Sequence, residues 1–150
     1  MTATDEHPCA SCGRFGPLVA GAGRERTHGT VAALLEAGWI VACPAGHRRS
    51  PDIGAAVVAE VHERLPVAER RRLGRVDRCT TCAGELSMPP RRTERAVPIA
   101  DLPGVPVTTI RFDLPSTRCP SCSTDQVPTR SIEDVRQVVL ALFAPDAGGA

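Results

Sequence analysis

A chain of 150 residues has room for one ordinary domain or two small ones. It carries three Phe, one Trp and no Tyr at a formal charge of +1, so small aliphatic residues must fill any core. All 18 basic residues are arginine and asparagine is absent, which excludes Schiff-base and P-loop lysines and N-glycosylation.

The first element is a C-x-x-C doublet, Cys9/Cys12, the first of three such doublets with Cys79/Cys82 and Cys119/Cys122. Ahead of it, Met1 to Pro8 hold neither a basic n-region nor an apolar run, so no secretory signal is expected. No stretch has the length needed to span a bilayer, and a cytoplasmic chain is expected. In that reducing setting the doublets read as metal ligands rather than disulfides.

Between Gly29 and Gly38, the spacing of Val31, Leu34 and Leu35 predicts a short helix. Trp39-Ile40-Val41-Ala42 reads as a strand leading to Cys43, the seventh cysteine. Four residues on, His47 supplies the donor that an odd cysteine needs. Cys9, Cys12, Cys43 and His47 thus form one Cys₃His set, with His7 as the alternative histidine. His28 and His62 read as ordinary surface histidines.

Ser50-Pro51-Asp52 has N-cap, N1 and dipole chemistry for a helix whose apolar stripe is Ile53, Val57, Val61 and Leu65. Pro66 to Leu73 predicts a second short helix closed by Gly74. From Arg64 to Arg95 nine arginines face four acids: Arg64, Arg70, Arg71, Arg72, Arg75, Arg78, Arg91, Arg92 and Arg95. This basic segment could neutralise phosphates, or form a solvated face that balances thiolate charge.

Cys79 and Cys82 then meet Cys119 and Cys122 across 36 intervening residues, a Cys₄ set with the spacing of two knuckles on separate hairpins. The insert reads as β structure, with Val97-Pro98-Ile99 and Val105 to Phe112 around a turn at Leu102-Pro103-Gly104. Prolines 98, 103 and 106 point to edge strands rather than a central sheet. Ser131-Ile132-Glu133-Asp134 resembles a capping box, and Val135, Val138, Val139, Leu142 and Phe143 form the stripe of the last helix. From Pro145 the chain reads as a tail.

The order of doublet, insert, strand, Cys-Pro and Ser-capped helix occurs twice. Val57-Val58 and Val138-Val139 fall at equal offsets from Ser50 and Ser131. The expected architecture is therefore a small α+β, metal-stabilised fold of two zinc-ribbon-like modules, 1–74 and 75–150, each followed by an amphipathic helix.

The second half resembles a known family. Cys79-Thr80-Thr81-Cys82-Ala83-Gly84, the β-rich insert through Val105-Pro106-Val107, and Arg118-Cys119-Pro120-Ser121-Cys122 are similar to the YgiT-type zinc finger. That finger is the N-terminal metal domain of MqsA-like bacterial antitoxins. The resemblance covers roughly residues 78–130 and implies a structural zinc on the four cysteines. Ser123 stands where the family usually has glycine. After Cys122 there is room for one helix, not for the helix-turn-helix domain those antitoxins carry.

These features predict two Zn²⁺ ions, both held by four protein donors, in a non-catalytic protein-interaction or regulatory module. Catalytic zinc keeps a position for water, and no H-E-x-x-H, G-x-S-x-G or nucleotide-binding glycine loop is present. Nucleic-acid binding through Arg70, Arg71, Arg72, Arg75, Arg78, Arg91 and Arg92 is the alternative, with few aromatics available to stack bases. A zinc-dependent or thiol enzyme is a third reading, should His47 leave the first set open. Redox chemistry fits less well, because turn and strand signals follow the doublets instead of a helix.

Overall fold

Alternating apolar residues build the centre of the fold. Val31, Ala33 and Leu35 alternate along one strand, and Ile110, Phe112 and Leu114 along another; all six are at most 2% exposed. A computed structural model of the chain describes residues 6–70, 76–102 and 104–144. Eleven strands and two helices are described: β1 Glu6–Pro8, β2 Phe15–Gly21, β3 Arg24–His28, β4 Val31–Leu35, β5 Gly38–Ala42, β6 Arg48–Arg49, α1 Gly54–Arg64, β7 Glu69–Arg70, β8 Asp77–Arg78, β9 Arg91–Ile99, β10 Thr108–Arg118, β11 Asp125–Gln126 and α2 Ile132–Leu142. The fold is small α+β, as its residues predict.

β10 is the axis of a five-stranded antiparallel sheet. It pairs with β9 from Thr108↔Ile99 to Ser116↔Arg91, with β4 from Ile110↔Leu35 to Asp113↔Ala32, and with β11 at its end. β3 closes the far edge against β4. α2 packs over β3 and β4, α1 over β9, and the two helices on each other. Val57, Val61, Val135, Val138 and Leu142 meet the inward face of the sheet in one core. A second antiparallel sheet has the order β1-β2-β5-β6, and β7 pairs with β8.

Several sequence expectations are corrected here. Val31–Leu35 is a strand, not a helix, because β3 and β10 flank it and satisfy its backbone on both sides. α1 starts at Gly54 rather than after Ser50, and its N-cap residue Ile53 makes no side-chain cap bond. The Ser50 hydroxyl instead accepts a hydrogen bond from Arg24. Pro66 to Arg70 is extended, not helical: Val127 N–H donates to the Pro66 carbonyl (2.9 Å) and Ala68 N–H to the Val127 carbonyl (2.9 Å). The rest of that predicted helix and Gly74 lie outside the described residues, as do Pro103 of the predicted turn and the tail from Pro145.

β10 is central rather than an edge strand. Pro98 sits on β9 at the sheet edge and Pro106 precedes β10, so neither removes a donor from β10 itself. Ser131 makes no cap bond to α2, which emerges from a 3-10 turn over Thr129–Ser131. Its hydroxyl lies in hydrogen-bond contact with Thr30 Oγ1 at 3.2 Å.

Asp134 likewise turns away from its own helix. It accepts from Thr30 N–H at 3.0 Å and Thr30 Oγ1 at 2.8 Å, and lies 3.2 Å from His28 Nδ1. The two-residue turn it clamps needs Gly29, whose φ is +55° and whose missing Cβ would meet the carboxylate at 2.5 Å. Thr30 N–H, then its hydroxyl and His28, hold the Asp134 carboxyl below the usual range. The clamp is therefore complete above ordinary carboxylate pKa values and is lost as pH falls through the lowered one.

Candidate metal centres

Each C-x-x-C doublet folds into the same tight knuckle. Cys9 N–H donates to the Arg14 carbonyl (2.8 Å) and Gly13 N–H to the Cys9 carbonyl (2.8 Å). Cys79 and Cys119 repeat the pattern, with Gly84 and Thr124 as acceptors and Ala83 and Ser123 as donors, all at 2.8–2.9 Å. The residue after the second cysteine is left-handed in every case, with φ of 76° at Gly13, 61° at Ala83 and 62° at Ser123. That turn puts both sulfurs on one side of the chain. In the second doublet the left-handed residue is Ala83, not the adjacent Gly84, at a cost of about 1–2 kcal/mol for a residue with a Cβ.

The fold brings all eight predicted ligands together in two groups. The donor atoms of Cys9, Cys12, Cys43 and His47 lie within 4.8 Å of one another, as do those of Cys79, Cys82, Cys119 and Cys122. The first group joins the β1–β2 knuckle to the β5–β6 turn, and Arg49 Nε ties the two by donating to Ser11 Oγ at 2.8 Å. The second joins the knuckle after β8 to the one between β10 and β11.

The separations suit a tetrahedral ion. Sulfur ligands at about 2.3 Å from a common centre stand about 3.8 Å apart, and a sulfur and an imidazole nitrogen about 3.6 Å. Here Cys12 and Cys43 Sγ are 3.4 Å apart, Cys43 Sγ and His47 Nδ1 3.7 Å, and the Cys79–Cys122 and Cys82–Cys119 pairs 3.5 Å. A disulfide needs about 2.05 Å, so the same distances leave all seven cysteines as thiols. His7 is elsewhere: its Nε2 lies 3.2 Å from the Gly104 carbonyl oxygen. His28 meets Asp134, and His62 is exposed in the last turn of α1.

Electrostatics within each group favour a cation. The Gln126 amide, with N–H groups from Cys82 and Thr81, brings Cys79 down to about 6 against the cost of burial. Gly84 N–H favours the Cys82 thiolate, yet its neighbours Cys119, Cys122 and Cys79 and its desolvation push it up to about 12. The first group divides the same way. Burial raises Cys9, but Ser11 and Cys12 N–H groups and the other thiols bring it to about 6, while Cys12 is raised. Thiols this close disfavour one another's ionisation, and a divalent ion at the centre removes the conflict.

One residue of the second centre is not legible in the sequence. Gln126, fully buried on β11, donates from Nε2 to Cys79 Sγ at 3.2 Å, and its Oε1 accepts from Thr80 N–H at 2.8 Å. It lies four residues beyond Cys122, and nothing but that nearness marks it. Gln126→Leu is expected to weaken metal binding at the second centre roughly 10- to 100-fold, leaving the first unchanged. Competition with a chromophoric chelator reads both affinities, and equal affinities in variant and parent would refute the role.

A cleft of about 780 Å³ lies beside this centre, between Asp77, the 86–90 loop and Thr129–Arg130. Its carboxylate is committed, since both Asp77 oxygens accept from Thr129, from N–H at 2.8 Å and from Oγ1 at 2.5 Å. Among the described residues no helix is long and apolar enough to cross a membrane. Set beside known proteins, the chain matches no family model, no curated protein and no solved structure.

Proposed function

We propose that the chain is a non-catalytic, cytoplasmic zinc protein: two structural Zn²⁺ ions shape an interaction or regulatory module that works through a protein partner. Cys9, Cys12, Cys43 and His47 hold one ion, and Cys79, Cys82, Cys119 and Cys122 the other. The observation that carries this reading is closure. Each group offers four donors at tetrahedral spacing, with no position left for a reacting water. A Cys₃His or Cys₄ set of soft donors favours zinc over magnesium or calcium. On this reading residues 1–74 and 75–150 each carry one zinc-ribbon-like centre and a trailing helix, joined through the pairing of β4 with β10. The likeness of the second to a YgiT-type finger rests on the same four cysteines.

Three arginines of the basic segment are held by neighbours within the chain. Arg64 is engaged by Glu60 and Asp101, Arg92 by Asp113 and the Thr30 carbonyl, and Arg95 by the Asp125 carbonyl. Arg71, Arg72 and Arg75 lie outside the described residues. Native mass spectrometry of freshly purified protein is expected to find two zinc ions per chain, and one in a Cys119→Ser variant. A compact, metal-free chain would end the proposal.

A further inference from the structure

The outward face of the β1-β2-β5-β6 sheet is apolar where a solvated face should be polar. Phe15 and Val19 of β2 are 58% and 43% exposed, with Pro17 exposed between them. Residues two apart on a strand share a face, so these three form one stripe. Ile40 is opposite Val19 on β5 and extends the stripe sideways. Such a patch is a marker of association.

What flanks the stripe identifies the partner. Glu6 is opposite Pro17 on β1, and Arg48 is opposite Ala42 on β6. The β2–β5 register, carried one residue past Leu18↔Val41, sets Pro17 opposite Ala42. Glu6, Pro17, Ala42 and Arg48 thus make one row across four strands on the same face, all exposed. An acid ends the row on one side and a base on the other, about 14 Å away. Among the described residues neither has an ion-pair partner; Arg49, next to Arg48, is the one that meets Ser11.

This row is complementary to itself. A two-fold axis parallel to the strands, midway between two facing sheets, sets Glu6 of each copy over Arg48 of the other and β2 of each over β5 of its partner, so that Val19 faces Ile40. We propose that this face is the interface of a homodimer. Two facing sheets pack about 10 Å apart with side chains interdigitated, which the small side chains here permit. Four strands and seven residues of β2 limit the contact to about 450 Å² per copy, at the low end for a specific interface, so the dimer is a weak one of micromolar Kd. The interface depends on strand register and exposure, not on the identity of the ion.

Sedimentation of the full zinc-loaded chain from about 1 to 300 µM tests it. A concentration-dependent dimer is expected. Val19→Glu is expected to give a monomer at every concentration. Glu6→Arg and Arg48→Glu should each weaken the dimer roughly tenfold by setting like charges together, and the double variant should recover parental affinity. Zinc counts from native mass spectrometry on the same samples separate a lost interface from a lost fold. A parent that stays monomeric at 300 µM, a dimer that survives Val19→Glu, or a double variant no tighter than its singles would each overturn the interface.

Discussion

With zinc in both donor groups, as proposed, stripping the ions with a strong chelator is expected to collapse the periphery of the protein and take most of its stability. A structural zinc contributes about 10–16 kcal/mol of apparent folding free energy in zinc-finger peptides, against about 5–15 kcal/mol for a whole domain. The local packing cannot replace it. Around the first centre the apolar support is Val41 and Leu18, each worth about 1.5–3 kcal/mol when fully buried. Around the second it is Ala68 and Leu86. Hydrogen exchange should show amides of β1, β2 and β5 losing protection first, with protection returning when zinc is added back. Lowering the pH should act in the same direction, since protons compete with the ion for the thiolates. A chelated sample with an unchanged exchange pattern and melting curve would defeat the expectation.

The second large effect lies far from any sulfur. Phe112→Ala is expected to destabilise by about 3–5 kcal/mol, from lost burial plus an unfilled cavity. Phe112 is 1% exposed and the largest fully buried side chain among the described residues, on the strand that pairs with β9 and β4 at once. Neighbours fixed in strands on both sides leave the site little freedom to close. At about 2–4 °C per kcal/mol, the melting temperature should fall by roughly 10 °C. Urea unfolding measures the loss, and a change below about 1 kcal/mol would show that the core repacks. Zinc content should stay at the parental value, because no ligand shares this core.

The two donor groups were legible because ligand chemistry is local: a C-x-x-C pair writes its own turn, whatever surrounds it. The choice of His47 over His7 was not legible, since His7 is two residues from Cys9; the fold decides it by turning His7 to the Gly104 carbonyl. Gln126 was not, since one amide among polar residues has no pattern. The strand at Val31–Leu35 was misread because two periods fit it. Val31, Leu34 and Leu35 match a helix, Val31, Ala33 and Leu35 match a strand, and β10, some 75 residues away, decides between them. The caps failed on competition. Ser50 and Ser131 have cap chemistry, but Arg24 and Thr30 of the β3–β4 hairpin and its turn claim both hydroxyls. Cap motifs describe what a side chain can do locally, and here distant partners outbid the helix ends.

The pairing of Leu35 with Ile110 sets a timetable for synthesis. At about 5–20 residues per second, the β3–β4 hairpin leaves the ribosome roughly 4–15 seconds before β10 exists to cover it. Through that interval Val31, Ala33 and Leu35 stand at an open, hydrogen-bond-hungry margin, able to recruit any extended chain nearby. The nascent protein is therefore exposed to mispairing until more than two thirds of it has been translated, and β10 ends that window by closing the hairpin into the finished sheet.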